Sequence, residues 1–390
     1  MRENKTEIES LFKKMLKETE ENAPKDAIYL EDIKTTGILK VQWKICGILG
    51  YQIFEQEKVS YKFGEKLEKP DISLVIRDSK IAIPFLKGEI FEFDYGPAYG
   101  GNFKINQTIG WKEIEKETGK KNARINKPFL TARFNKEKEY HPYVLSKIPI
   151  FRELVTQRVS EDDFGAFIPI NKALGTYESQ VIPLKVFKHF IDKASNIVKM
   201  NDCPCRTYHE CKDHNRDLGC MHMGNDTLNF PSPHFRSNVI SKEEALEHVR
   251  LCIEDGLIPL LGRAMDEAEG FGVQDTGHFL SMCFCCPCCC IDGTIVQNAS
   301  KGLTTMFKRI DGITVKVDED LCVGCEECLE VCVFNGMEMI DNKAVVNQDN
   351  CLGCGRCETT CPNDAISISI TDMSYVDKLI KDLEAHVEVS

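Results

Sequence analysis

The sequence predicts a multidomain α+β chain that ends in a small metal-binding domain of its own, and three observations carry this expectation. The chain has 390 residues, 42% of them hydrophobic and 28% charged, which leaves room for two or three globular domains and does not match a disordered protein. Short alternating apolar runs mix with helical periodicities through its first three hundred residues. Nineteen of its 20 cysteines lie beyond residue 200, in groups at 203–220, 283–290 and 322–361, with Cys252 alone between them.

Residues 3–20 read as a solvated helix, with Ile8, Leu11, Phe12, Met15 and Leu16 at helical spacing and a stop at Asn22, Pro24 and Asp26. From residue 28 to 87, the short apolar runs 37–43, 72–76 and 81–83 alternate with charged and turn residues, which suggests a mixed α+β domain with an antiparallel sheet. Residues 91–95 alternate with strand period and enter a glycine-rich turn, which favours a packed hairpin over a ligand pocket. Pro183 opens a helix whose apolar face is Leu184, Phe187, Ile191, Ala194, Ile197 and Val198. Ser241 and Glu244 have the capping-box spacing and start a second helix ending at Gly256, with Cys252 in its core face. The glycine-rich stretch 270–277 lacks the flanking strand and helix of a dinucleotide site. These signals divide the chain into an N-terminal helical arm (1–27), an α+β domain of unknown role (28–182), a cysteine-rich helical and loop domain (183–310), a repeat domain (311–371) and a C-terminal helix (372–390).

The repeat has a period of 29 residues: Cys322-x2-Cys325-x2-Cys328-x3-Cys332 recurs as Cys351-x2-Cys354-x2-Cys357-x3-Cys361-Pro362. C-x2-C-x2-C wraps a loop around one cubane, while the fourth cysteine, at the start of the next helix, points at the other. Cys322, Cys325, Cys328 and Cys361 are therefore expected on one [4Fe-4S] cluster, and Cys351, Cys354, Cys357 and Cys332 on a second. Apolar strands flank each copy, at 313–317, 337–340, 343–346 and 365–370, so two short β-hairpins and two short helices should surround the clusters. Gly324 and Gly353 should lie where a side chain would crowd sulfur. A lone four-cysteine set also suits Zn2+, but two copies with this spacing favour iron–sulfur.

On these residues the chain resembles bacterial-type ferredoxins with two [4Fe-4S] clusters, over about residues 312–370. One departure is Val333, where the first motif often carries proline; it bears on packing or potential and not on cluster binding.

Upstream, Cys203, Cys205, Cys211 and Cys220 supply four thiols for a further centre, with Arg206 and three histidines close by. Irregular spacing and histidines suit zinc there, while the neighbouring repeat argues for iron, and the reading adopted is a cluster. Cys283, Cys285, Cys286, Cys288, Cys289 and Cys290 crowd into eight residues around Pro287. Extended neighbours face opposite ways, so this segment is expected to reach two sites or to leave thiols over. One or two additional iron–sulfur clusters are expected in all. The order of these elements resembles a group of cysteine-rich 4Fe-4S proteins of anaerobic bacteria and archaea, over roughly residues 165–370.

Residues 311–390 hold 17 acidic against 5 basic side chains, a net of −12 equal to that of the whole chain. Such a segment repels nucleic acid and anionic lipid and is steered to a basic patch on a redox partner. No run reaches the ~18 apolar residues of a membrane helix, and the charged N-terminus has no export signal. A cytoplasmic protein without a membrane span is expected, its thiols kept reduced for metal. The leading function is electron transfer, as a protein or a redox subunit. Alternatives are an oxidoreductase reacting at the upstream cysteines, with His278 or Asp275 as proton donors, and a zinc-stabilised redox-sensing or docking module. Whether the chain is itself an enzyme stays open. No triad, P-loop or paired-carboxylate motif supports hydrolysis or phosphoryl transfer.

Overall fold

In the computed structural model, which describes residues 2–89, 93–95, 102–109, 125–135, 142–156, 163–170, 180–230, 237–263, 267–271 and 273–390, the chain forms two units. One is residues 1–158 with 298–304, the other residues 159–297 with 305–390. The division at 158 falls inside the segment 28–182 that the sequence treats as one domain. The glycine-rich turn expected after residue 95 lies outside the described residues.

The first unit is built on β1 (Leu39–Ile45), β2 (Ile48–Phe54), β3 (Val59–Phe63), β4 (Ile72–Ile76), β5 (Phe93–Tyr95), β6 (Asn102–Ile109) and β7 (Ile125–Phe134), in the sheet order β3-β2-β1-β4-β7-β6-β5. Neighbours are antiparallel except β1 and β4. Burial alternates along β2, so every second side chain enters the core. The helix Arg2–Asn22 packs against β3 and the helix Ser79–Lys87 through buried Ile8, Phe12 and Leu16, and so is not a free arm. A Cβ at Gly50 would stand 2.8 Å from the Phe12 ring, which is why β2 carries glycine there. Trp43 stacks on Phe151 at 5.8 Å, and its indole N–H donates to Gln52 at 3.0 Å. Of the three apolar runs, 81–83 is helical. Asp78 caps that helix by accepting from the Lys80 N–H, and a run of three apolar residues is too short to separate the two periods. Buried Asp32 accepts from Ser300 Oγ at 2.6 Å and from the Lys301 N–H at 2.8 Å, which ties residues 298–304 into this unit.

A second sheet, ordered β11-β9-β10-β13-β12-β8-β14, organises the other unit. It comprises β8 (Phe164–Phe167), β9 (Ile197–Met200), β10 (Met221–Met223), β11 (Ser237–Val239), β12 (Ile258–Arg263), β13 (Leu280–Cys285) and β14 (Phe307–Lys308). Only β8 and β14 run parallel. The helix with Pro183 in its first turn spans Val181–Lys193, and Ile197 and Val198 belong to β9 instead, since a break at 194–196 releases the β-branched pair into the sheet. The helix Lys242–Glu254 has the expected capping box, with hydrogen bonds of 3.1 and 2.8 Å between Ser241 and Glu244. β13 lies centrally, and its register with β10 pairs Met221 with Met282. Cys220 consequently stands beside Cys283, and the two upstream cysteine groups meet.

At the C-terminus β15 (Ile313–Val317), β16 (Met337–Ile340), β17 (Lys343–Val346) and β18 (Ile366–Ile370) fall on the expected strands. Only β16–β17 is a hairpin. β15 pairs antiparallel with β18, Ile313 opposite Ile370, so the two halves interleave and do not form successive hairpins. This closure returns the end of the second half to the start of the first. The helix Ser374–His386 follows. Among the described residues no helix is long and apolar enough to cross a membrane.

Candidate metal centres

All 20 cysteines are free thiols. In the C-terminal domain Cys322, Cys325, Cys328 and Cys361 line one open-sided cavity with about 340 Å³ of empty space. Cys332 and Cys351 act electrostatically on both Cys354 and Cys357 and make up a second set with them. Cys361 therefore lies with the first motif and Cys332 with the second. Gly336 permits the second approach, because a Cβ there would stand 2.8 Å from the Cys351 Cα. Matching N–H donors point at sulfur in each half: Gly336 to Cys332 at 3.2 Å and Ala365 to Cys361 at 3.3 Å. The Ala344 N–H, at 3.4 Å, helps hold the Cys322 thiol below its ordinary pKa, whereas burial pushes Cys328 up to about 11. Eight soft donors in two sets of four, with N–H groups supporting thiolate, suit two [4Fe-4S] clusters. The Gly324 N–H hydrogen-bonds the Cys322 sulfur, as a backbone close to sulfur should, but the atoms a side chain at Gly324 or Gly353 would meet first are not sulfur. Their φ values of +73° and +67° and the closeness of Asn342 O (2.5 Å) and Ile313 Cγ2 (2.8 Å) to a would-be Cβ require glycine.

The second set faces the rest of its unit. Phe334 packs on Phe167 at 4.6 Å, and Val333, the departure from proline, packs against Gly293 in the helix Ile291–Asn298. The Cys354 carbonyl accepts from the Ile170 N–H at 3.2 Å. Buried Arg356 donates to the Cys285 carbonyl at 2.6 Å, linking the second ferredoxin motif to the upstream cysteines. The first set looks outward: Val323 is 62% and Leu321 48% exposed, with Cys325, Glu319, Asp320, Glu326 and Glu327 exposed around them.

Upstream, the structure regroups ten cysteines across the two sequence segments. The sulfurs of Cys211, Cys286, Cys288 and Cys289 all lie within 4.8 Å of one another. Cys203 contacts Cys205 and Cys220, Cys220 contacts Cys283, and Cys285 contacts Cys290. The expected centre of Cys203, Cys205, Cys211 and Cys220 is thus divided, with Cys211 elsewhere. Strand alternation puts Cys283 and Cys285 on one face of β13; the turn at Pro287 then carries Cys286, Cys288 and Cys289 to Cys211, while Cys290 returns to Cys285. Buried Arg206 donates to the carbonyls of Asn215 (3.1 Å), Phe284 (2.8 Å) and Leu218, fastening the 203–218 loop to β13. The sulfurs of Cys205 and Cys220, aided by Arg206, hold the Cys203 thiol well below its ordinary pKa.

Two carboxylates that sequence reasoning missed border these thiols. Glu267 lies 3.9 Å from Cys283 Sγ and is pushed up to about 8 by burial; Asp292 lies 3.7 Å from Cys290 Sγ and is pushed up to about 6 by burial. Glu267 has no local signal, whereas Asp292 was visible two residues after Cys290. The suggested proton donors are engaged elsewhere: Asp275 pairs with Arg263, and His278 contacts Thr276 at 3.1 Å. His214 contacts Asp255. His222 contacts Ser281 at 2.9 Å amid Phe230, Phe271 and Phe279, and burial pushes it down to about 3. Cys252 is fully buried in the core.

No curated protein matches the chain. Residues 344–367 match the family model described as a 4Fe-4S binding domain, a span that holds the whole second cysteine motif. The chain therefore carries, near its C-terminus, a 4Fe-4S binding domain of the bacterial ferredoxin kind.

Proposed function

We propose that this is an iron–sulfur electron-transfer protein or redox subunit of the cytoplasm. In this reading Cys322, Cys325, Cys328 and Cys361 hold one [4Fe-4S] cluster, and Cys332, Cys351, Cys354 and Cys357 hold another. A further centre draws on Cys203, Cys205, Cys220, Cys283, Cys285 and Cys290. Bound clusters supply one-electron carriers. The observation that supports a wire is the Arg356 hydrogen bond to the Cys285 carbonyl, which joins the inward-facing ferredoxin set to the upstream thiols. Electrons then enter at the outward-facing set, where Leu321 and Val323 offer apolar contact and Glu319, Asp320, Glu326 and Glu327 steer a basic redox protein. Twenty free thiols support a reducing compartment.

A second reading, an oxidoreductase reacting at the upstream group, draws support from Glu267 and Asp292 beside Cys283 and Cys290, carboxylates placed to exchange protons there. Turnover of a reduced dye that is lost in Glu267→Gln would favour it.

The test of the wire is stopped-flow electron transfer between the full chain and a basic redox protein. Raising salt from 0.01 to 0.15 M shortens the Debye length from ~30 to ~8 Å, so the rate should fall. Neutralising Glu319, Asp320, Glu326 and Glu327 together should flatten that dependence. A wild-type rate insensitive to salt would reject steering at this face.

A further inference from the structure

We propose that Cys211, Cys286, Cys288 and Cys289 form a closed site for a single tetrahedral Zn2+, separate from every iron–sulfur centre. The ground is geometric. Cys211 Sγ lies 3.6 Å from Cys288 Sγ, which lies 3.5 Å from Cys289 Sγ, and all four sulfurs fall within 4.8 Å. One tetrahedral ion with Zn–S bonds of about 2.3 Å sets its sulfurs ~3.8 Å apart. A cubane places each thiolate on a different iron, and the sulfurs then stand roughly 6 Å apart. The ferredoxin cysteines give an internal reference: among the described residues, no three of those eight sulfurs group within 4.8 Å. The set of Cys322, Cys325, Cys328 and Cys361 surrounds open space, whereas the quartet closes on a point.

The local chain explains how adjacent cysteines share one ion. Residues 287–289 form a turn and not a strand, so Cys288 and Cys289 reach the same place. The backbone N–H groups of Asp213 and His214 donate to the Cys211 sulfur and fix it. Four thiolates on Zn2+ carry a net charge of −2, and the buried guanidinium of Arg206, hydrogen-bonded to Cys286, offsets part of it. Zinc has no redox chemistry. The site therefore clamps the 211–216 loop to the 286–290 turn and positions the six remaining upstream thiols without joining the wire. Ten upstream thiols, two more than two cubanes need, then divide into four for zinc and six for one further centre.

The proposal does not depend on the electron-transfer reading, and its readout is separate. Full-length protein purified without oxygen is analysed for Zn, Fe and acid-labile sulfide, in the wild type and in Cys288→Ser and Cys289→Ser. The expected result is about one Zn per chain in the wild type, a fivefold or greater loss in each variant, and unchanged iron and sulfide. Loss of about four Fe with their sulfides in the variants would show a cubane and overturn the proposal. One additional Fe without sulfide, in place of zinc, would overturn it as well. A variant that unfolds loses every metal, so the wild-type chain is also exchanged with Co2+: tetrahedral tetrathiolate cobalt gives intense charge-transfer absorption, and a weak octahedral spectrum would contradict the site.

Discussion

Gly355→Ala isolates the junction between the ferredoxin domain and the upstream cysteines without touching a thiol. Gly355 has φ +83°, and a Cβ there would stand 2.0 Å from the Ile170 carbonyl oxygen. Left-handed backbone costs an alanine about 1–2 kcal/mol. The clash must also push residue 170 away, which breaks the Ile170 N–H to Cys354 carbonyl hydrogen bond and strains the Arg356 bond to Cys285. A neutral hydrogen bond contributes about 1 kcal/mol and one from a charged donor about 1.5–3 kcal/mol. The full effect is about 4 kcal/mol, roughly a thousandfold in the docking equilibrium. Hydrogen exchange on the full chain reads this directly. The Ile170 amide should exchange at least a hundredfold faster in the variant, while the iron content stays that of the wild type, since every ligand is intact. Unchanged protection at Ile170 would refute the junction, and loss of iron would show that the loop serves cluster binding and not docking.

The remaining predictions concern ligand crossing and the first unit. Cys332→Ala should remove iron from the set of Cys351, Cys354 and Cys357 and spare the set completed by Cys361; spectroscopy showing the loss on the Cys322, Cys325 and Cys328 side would contradict the crossing. Asp32→Ala leaves the buried Ser300 hydroxyl and the Lys301 N–H without their acceptor, and should lower the stability of the first unit by about 2–3 kcal/mol in urea unfolding. A change below about 0.5 kcal/mol would show that residues 298–304 are held by other contacts.

Where residue spacing encodes local geometry, the sequence was legible. The 29-residue repeat located β15 to β18, and the Ser241 and Glu244 spacing located a helix start, because each signal lies within a few residues of what it specifies. Pairing was not legible. Nothing near residue 313 says that β15 joins β18 and not β16, and nothing near Cys211 says that it lies with Cys286, Cys288 and Cys289. The meeting at Cys211 follows from the β10–β13 register, which sets Met221 opposite Met282, together with the turn at Pro287, and the β15–β18 pairing joins strands about fifty residues apart, so both rest on long-range contacts. Short apolar runs did not separate the two periods: residues 81–83 form helix under the Asp78 cap, and Ile197 and Val198, expected on a helix face, form strand. Val333, the departure from proline expected to bear on packing or potential, packs against Gly293.

The central claim, that the eight ferredoxin cysteines serve two clusters, is tested most directly by counting iron and acid-labile sulfide per chain in protein purified without oxygen. The account predicts at least about eight of each, rising to about twelve if the six upstream thiols of Cys203, Cys205, Cys220, Cys283, Cys285 and Cys290 hold one more cluster. A count near four of each would contradict it.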